Sequence, residues 1–292
     1  MILHLLDATF ELFRAYFAMP SETAPDGCEV GAVRGLIGST LALLRQPEVT
    51  HIAAATDHVI ESFRNHLFAG YKTGEGIAPD LWTQFPLAEK ALRGLGVVVW
   101  PMVEFEADDA LATAARRFAD QVDQVVILSP DKDLTQCVVA NRVVTHDRIR
   151  RKTYDDAGVR EKFGVAPASI PDLLALVGDS ADGIPGIRGW GMKSAAAVLS
   201  VYHSIESIPA DARNWTIKLR QAPNLAASLT AQRDDALLFK TLATLRTDVP
   251  LRETLDDLEW HGVDRGAYVA LCQRFGFRDL VDRPARWRSR SV

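Results

Sequence analysis

The sequence predicts an α/β fold: a mostly parallel, twisted sheet with flanking helices, followed by a helical region. Three observations carry this. Over the first 150 or so residues (roughly one domain's length), short apolar runs alternate with helix-length amphipathic segments. From about Asp155 onward the strand-like runs stop, and short helical segments punctuated by Gly and Pro take over. Four of the early apolar runs end in acid.

In chain order, residues 2–6 form a strand closed by Asp7. Helices follow over 10–18 and 32–45. Residues 51–56 are a strand closed by Asp57. Residues 71–79 are glycine-rich and polar and read as a mobile loop before a helix over 81–95. The strand at 97–100 leads to Glu106, Asp108 and Asp109, which open a helix over 107–119. A buried strand at 124–128 delivers Asp131 and Asp133, and 142–145 is the last strand of this region. Residues 251–277 hold one further possible strand and a helix.

Composition narrows the class. A chain of 292 residues allows one large domain or two smaller ones, and its 48% hydrophobic content suffices for a packed core. No apolar stretch reaches the length of a membrane span, and Asp7 interrupts the N-terminal run too early for a signal peptide. Cys28, Cys137 and Cys272 are scattered without CxxC spacing, which fits a reducing cytoplasm and excludes a cysteine zinc site. The seven histidines show no His-x-x-x-His pairing; His4 reads as a core residue. The net charge is −5, with the acid concentrated in motifs. Basic runs at Arg148, Arg150, Arg151 and Lys152, and at Arg283, Arg286, Arg288 and Arg290, read as solvated faces.

The acids carry the chemistry. A single Asp at a strand end is a favoured helix cap, and that reading covers Asp7 or Asp57 alone. It fails for Glu106-Ala107-Asp108-Asp109, where three acids in four residues repel one another. Glu106 and Asp109 share a helix face, and Asp108 points elsewhere. Oxygen-only ligands at strand ends suit a hard divalent ion, Mg²⁺ or Mn²⁺, and two such ions can activate water against a phosphodiester. Metal-assisted phosphoryl chemistry is thus the leading inference from the residues themselves.

Two further segments fit a nucleic-acid substrate. From Gly178 to Ala195 the chain has Asp179 and Asp182, then a glycine-rich turn opening an alanine-rich helix, with Lys193 and Ser194 as added donors. Met192 between Gly191 and Lys193 excludes a Walker A loop. An ordinary helix–helix turn is one reading; a backbone clamp that positions nucleic acid without reading sequence is the other. Trp190 packs this turn. One reading has Arg64 and Lys72 neutralising phosphate and Tyr71 stacking on a base; the other is an unremarkable exposed Arg, Tyr and Lys near a loop.

Together these motifs resemble the 5′-nuclease family: the 5′→3′ exonuclease domain of bacterial DNA polymerase I and the flap endonucleases. The resemblance runs from Asp7, with Phe13-Arg14-Ala15-Tyr16-Phe17-Ala18, through Ser62-Phe63-Arg64 and Gly70-Tyr71-Lys72. It continues through the acidic motifs to the hairpin at Gly186–Ala195, and reaches about Pro250. It implies a PIN-like nuclease core over 1–160 with a helical arch or loop near 64–85, a helix-three-turn-helix (helix-hairpin-helix) DNA-binding region over 161–250, and a C-terminal segment over 251–292 that packs back on the core and ends in a basic tail. It implies metal ligation by Asp7, Asp57, Glu106, Asp108, Asp109, Asp131, Asp133, Asp179 and Asp182. It gives Lys72, Arg64, Tyr71 and Asp131 catalytic roles, and assigns DNA contacts to Arg14, Gly186, Ile187, Gly189, Gly191, Lys193 and Ser194. Two Mg²⁺ or Mn²⁺ ions, with K⁺ at the hairpin, are the implied cofactors. The implied partner is DNA with 5′ ends, flaps or nicks, met by a monomer in the cytoplasm.

Two departures stand out. Ala8 follows Asp7 where the family usually has Gly, and Thr73-Gly74-Glu75-Gly76 replaces the basic residues expected after Lys72. The latter bears on the choice between exonuclease and flap cutting. No polymerase region follows, which reads as a stand-alone nuclease. A haloacid-dehalogenase-like phosphatase would need a second Asp at position 9, which is Thr9. A non-catalytic junction-binding protein and an RNA-directed nuclease on the same core are the other readings.

Overall fold

Parallel strands bring the first set of acids to one edge. In the computed structural model, which describes residues 1–289, the chain divides into two compact units. The first comprises residues 1–60, 74–129 and 247–292, and the second 61–73 and 130–246. Arg290 lies outside the described residues.

The first unit is built on β1 (Ile2–Asp7), β2 (His51–Asp57), β3 (Val98–Met102) and β4 (Gln124–Leu128). They pair in parallel in the order β3-β2-β1-β4. The chain runs outward from β1 through β2 to β3, then returns to β4 on the other side of β1, so β1 and β4 flank a topological switch point. Leu3, Leu5, Leu6, Ala53, Ala54 and Ala55 are all fully buried, as a sheet covered on both faces requires. Pro101 is tolerated because β3 is an edge of this sheet.

Helices α1 (Ala8–Ala18), α2 (Gly31–Leu44), α5 (Phe85–Gly94) and α12 (Arg265–Phe275) supply the rest of this unit's main core cluster, and α6 (Ala107–Phe118) buries Ala110, Leu111, Ala114 and Phe118. The helix expected over 81–95 is in fact two. A single turn, α4 (Pro79–Trp82), precedes α5, because Pro86 lacks the N–H a continuous helix needs and starts a new one. The strand expected near the C-terminus is reduced, among the described residues, to single bridges, His51 with Glu259 and Val263 with Trp287.

The second unit is mainly helical: α3 (Phe63–Leu67), α7 (Asp156–Phe163), α8 (Ile170–Val177), α9 (Met192–Tyr202), α10 (Ala222–Ala231) and α11 (Arg233–Ala243). Its core centres on Val159, Leu173, Leu176, Ala195, Leu199 and Ala236. It also carries an antiparallel hairpin, β5 (Val143–Asp147) and β6 (Lys152–Tyr154). Sequence periodicity missed β6, whose three residues are too few to show alternation. The segment 64–85, expected as an arch or loop, holds most of α3, an irregular stretch and α4.

Candidate active site

Each unit presents acids of its own. In the first, Asp7 ends β1 and caps α1: Phe10 N–H donates to its Oδ1 at 2.9 Å. Its Oδ2 accepts from Ser129 Oγ at 2.7 Å, and Ser129 directly follows β4. The carboxylate is therefore oriented across the switch point, at the edge where open α/β sheets bind ligands. Asp57 ends β2; its N–H donates to Thr9 Oγ1 at 2.8 Å, and its Oδ1 accepts from Ala107 N–H at 2.7 Å. Asp57 thereby ties β2 to the start of α6. Glu106 and Asp109 frame that start, with Asp109 Oδ2 accepting Glu106 N–H at 3.0 Å in a capping box. Glu106 is buried and Asp108 half-buried.

One member of this set departs from its expected role. Asp109 is fully buried and serves the helix cap, so it is a framework residue in this structure rather than an open ligand. Ser129 and Thr9 were not anticipated. The signal for both is positional: each is a hydroxyl within two residues of an acidic strand end.

In the second unit, Asp133, Asp179 and Asp182 converge, with one oxygen from each within 4.8 Å of the others. Asp131 Oδ1 accepts Asp133 N–H at 2.9 Å, which fixes the turn delivering Asp133; Asp131 itself is exposed. Asp179 and Asp182 sit on a tight loop closed by reciprocal backbone hydrogen bonds between Asp179 and Ile184, both 2.8 Å. Asp133 is only 5% exposed, and among the described residues its buried Oδ1 receives no hydrogen bond. Burial pushes its carboxyl well above the usual carboxylate range, and Asp131 and Asp182 add to the shift. Three converging carboxylates, one with a donor-less buried oxygen, match what an oxygen-liganded divalent cation requires.

Two lysines face these acids. Lys132 Nζ is ion-paired to Asp179 and lies 3.8 Å from Asp133 Oδ1. Burial works to lower its pKa, but Asp133, Asp179 and Asp131 outweigh burial and hold it above the ordinary lysine value. Lys132 was not singled out from sequence, though its place between two acids was the signal. Lys72 Nζ lies 3.1 Å from Asp182 Oδ1.

The backbone around Lys72 is clamped. Its N–H donates to Asp182 O at 3.0 Å, and Asn65 Nδ2 donates to Lys72 O at 2.9 Å. Gly183 makes this possible: it has a φ of +72°, and a Cβ there would lie 2.1 Å from Gly70 O.

Three expectations for this unit are corrected. Arg64 is 1% exposed; its Nε donates to Leu242 O at 2.8 Å and its Nη2 to Thr244 O at 3.0 Å. It ties α3 to the end of α11 instead of meeting phosphate. Tyr71 is buried in the core with Val159 and Phe239, so its ring is not a platform for a base. Ile187 is likewise buried, and its N–H already donates to Leu176 O at 2.8 Å.

The rest of the glycine-rich turn is split in function. Gly186 packs tightly, since a Cβ there would fall 2.5 Å from Gly178 N. Gly189 and Gly191 are exposed with open space where a Cβ would stand, and Lys193 is exposed beside them. Ser194 Oγ accepts Gly191 N–H at 3.1 Å and donates to Gly191 O at 2.9 Å, closing the start of α9. Trp190 packs the turn as expected, donating to Leu225 O at 3.2 Å. In the first unit, Arg14 pairs with Glu11 at 2.5 Å and donates to Ser39 Oγ at 3.0 Å.

Acids at the ends of parallel strands, and three converging carboxylates beside a glycine-rich hairpin in a helical unit, are shared by more than one class of protein. Comparison with known proteins specifies which. Residues 2–164 match the 5′-3′ exonuclease N-terminal resolvase-like domain, and residues 165–266 match the 5′-3′ exonuclease C-terminal SAM fold. The chain belongs to the 5′-3′ exonuclease family. It is 33% identical over 280 residues to a 5′-3′ exonuclease of Aquifex aeolicus, covering 96% of this chain and 93% of that one. It is 34% identical over 285 residues to DNA polymerase I of Bacillus caldotenax, covering 96% of this chain but 32% of the polymerase. The chain thus spans about a third of that relative's length.

Solved structures share the fold. T5 5′-exonuclease with bound divalent zinc aligns at a TM-score of 0.69 and 18% identity, covering 85% of this chain and 90% of that one. The catalytic core of Rad2 with DNA substrate aligns at 0.61 and 14% identity, covering 94% and 87%. Among the described residues no helix is long and apolar enough to cross a membrane.

Proposed function

We propose that this protein hydrolyses DNA phosphodiesters at 5′ ends or 5′ flaps with the help of Mg²⁺ or Mn²⁺. The observation that carries this reading is the buried, donor-less Oδ1 of Asp133 among three converging carboxylates, in a chain of the 5′-3′ exonuclease family. A divalent ion held by Asp133, Asp179 and Asp182 would polarise a phosphate oxygen and lower the pKa of water. Lys72, on its clamped backbone, donates to a non-bridging phosphate oxygen and offsets charge that builds during bond cleavage. Exposed Asp131 orients the attacking water. The resemblance implies further metal ligation by Asp7, Asp57, Glu106 and Asp108, which the first unit presents at strand and helix ends.

The exposed turn at Gly189, Gly191 and Lys193 holds the DNA backbone without reading sequence, with Ser194 shaping the helix start and K⁺ as the family's ion there. Arg14 provides a further phosphate contact. One solved neighbour is a T5 flap endonuclease in complex with DNA and metal ions, which supports DNA as the substrate. The protein works as a cytoplasmic monomer on flaps, nicks or free 5′ ends.

Cleavage of 5′-labelled flap, nicked, blunt and single-stranded DNA, with an RNA-primed strand included, tests this with Mg²⁺ and with EDTA. The reading predicts Mg²⁺-dependent loss of label from flap or nicked DNA. Label retained on every DNA, or released equally in EDTA, would contradict it.

A further inference from the structure

Every carboxylate of the Asp133, Asp179 and Asp182 group already faces an ammonium. Lys132 serves Asp179 and Asp133, and Lys72 serves Asp182. The three ligand oxygens lie within 4.8 Å of one another, and an ion bound to all three would sit about 2 Å from each. An ammonium bonded to Asp179 then falls inside that ion's surroundings. Two cations that close in a partly buried site repel strongly, so both cannot stay.

The two lysines differ in which ligands they meet: Lys132 lies against Asp179 and Asp133, and Lys72 against Asp182. The carbonyl of Lys72 and its N–H are both engaged, by Asn65 and by Asp182. Like Lys72, whose side chain is 28% exposed, Lys132 has a fixed backbone, its carbonyl accepting Thr135 N–H at 3.0 Å, and a flexible side chain that is 35% exposed. It can leave by rotating into solvent while Asp133 stays in place.

We propose that Lys132 is a built-in counter-ion: it holds the three carboxylates together in the metal-free protein, and an incoming divalent cation displaces it. Metal binding is then an exchange of one cation for another, and it is weaker than the three carboxylates alone would give. Lys132 is on this account a positioning residue for the metal ligands. The inference rests on the metal reading given under Proposed function.

Mn²⁺ titration of the full chain by calorimetry, without DNA, tests it. The variants are Lys132→Met, which keeps the stem and removes the charge, Lys132→Arg, which keeps the charge, and Asp133→Asn. The proposal predicts that K132M binds Mn²⁺ about tenfold more tightly than wild type, and that K132R stays nearer wild type. Metal-free K132M should melt below wild type, and saturating Mn²⁺ should remove that difference. Equal or weaker Mn²⁺ binding by K132M overturns the proposal. If D133N leaves Mn²⁺ binding unchanged, the metal reading itself fails; if D133N abolishes binding while K132M gains nothing, only the counter-ion role fails.

Discussion

Asp133 shows how much one side chain can carry. It is buried among like charges, so without metal its proton is held more tightly in the folded state than in the unfolded one. The sign follows from that. The stabilisation from this proton is complete below the ordinary carboxylate pKa of about 4 and is lost as pH rises through the raised folded value. Metal-free wild type should therefore lose melting temperature relative to Asp133→Asn as pH rises from about 4 toward neutrality. Mn²⁺ competes with that proton, so its affinity should tighten over the same range. Melting curves and titrations of both proteins across pH check this, and parallel curves would contradict it. Arg64 marks the limit of reading by residue type. An Arg two residues after a Ser and shortly before a lysine looks like a phosphate ligand, but burial is a tertiary property that local sequence does not display. Arg64→Ala should destabilise the protein by about 2–4 kcal/mol, because it leaves buried carbonyls without donors. Urea unfolding measures this, and a neutral result would return Arg64 to the surface chemistry first expected of it.

At the level of elements, the carboxylates at strand ends were legible because two local signals coincide there, an apolar run and an acid at its close. The helix at 107–119 was legible for similar reasons: its acidic start and its buried face of Ala110, Leu111, Ala114 and Phe118 recur at helical spacing. Less legible was the loop from Gly178 to Ile184, which does more than carry two acids. Its backbone holds Lys72, and Gly183 lets it approach Gly70. No local pattern announces that approach, since it joins residues more than a hundred positions apart. Gly183→Ala should cost about 2 kcal/mol or more through strain at positive φ and the clash with Gly70 O. It should also slow cleavage by shifting Lys72 and Asp182. Turnover under saturating metal checks the second effect; wild-type turnover would show that the clamp does not position Lys72.

For the whole molecule, the sequence expectation of an α/β region followed by a helical one agrees with the two matched family domains. What the sequence did not reveal is the interleaving. Residues 61–73 belong with the helical unit and 247–292 with the sheet unit, so neither unit is continuous in the chain. Composition and periodicity are read along the chain and cannot register which distant segments share a core. Each unit nonetheless has a core of its own, and the helical one gathers three carboxylates. On the proposed reading, the Asp133, Asp179 and Asp182 cluster holds a divalent ion on which DNA cleavage depends. The most direct test is release of a 5′ label from flap DNA by wild type and by Asp133→Asn, each over a Mg²⁺ titration, with DNA binding measured in parallel. D133N should still bind the DNA but cleave it at least about 100-fold more slowly at all Mg²⁺ concentrations. Wild-type cleavage by D133N at the same Mg²⁺ dependence would contradict it.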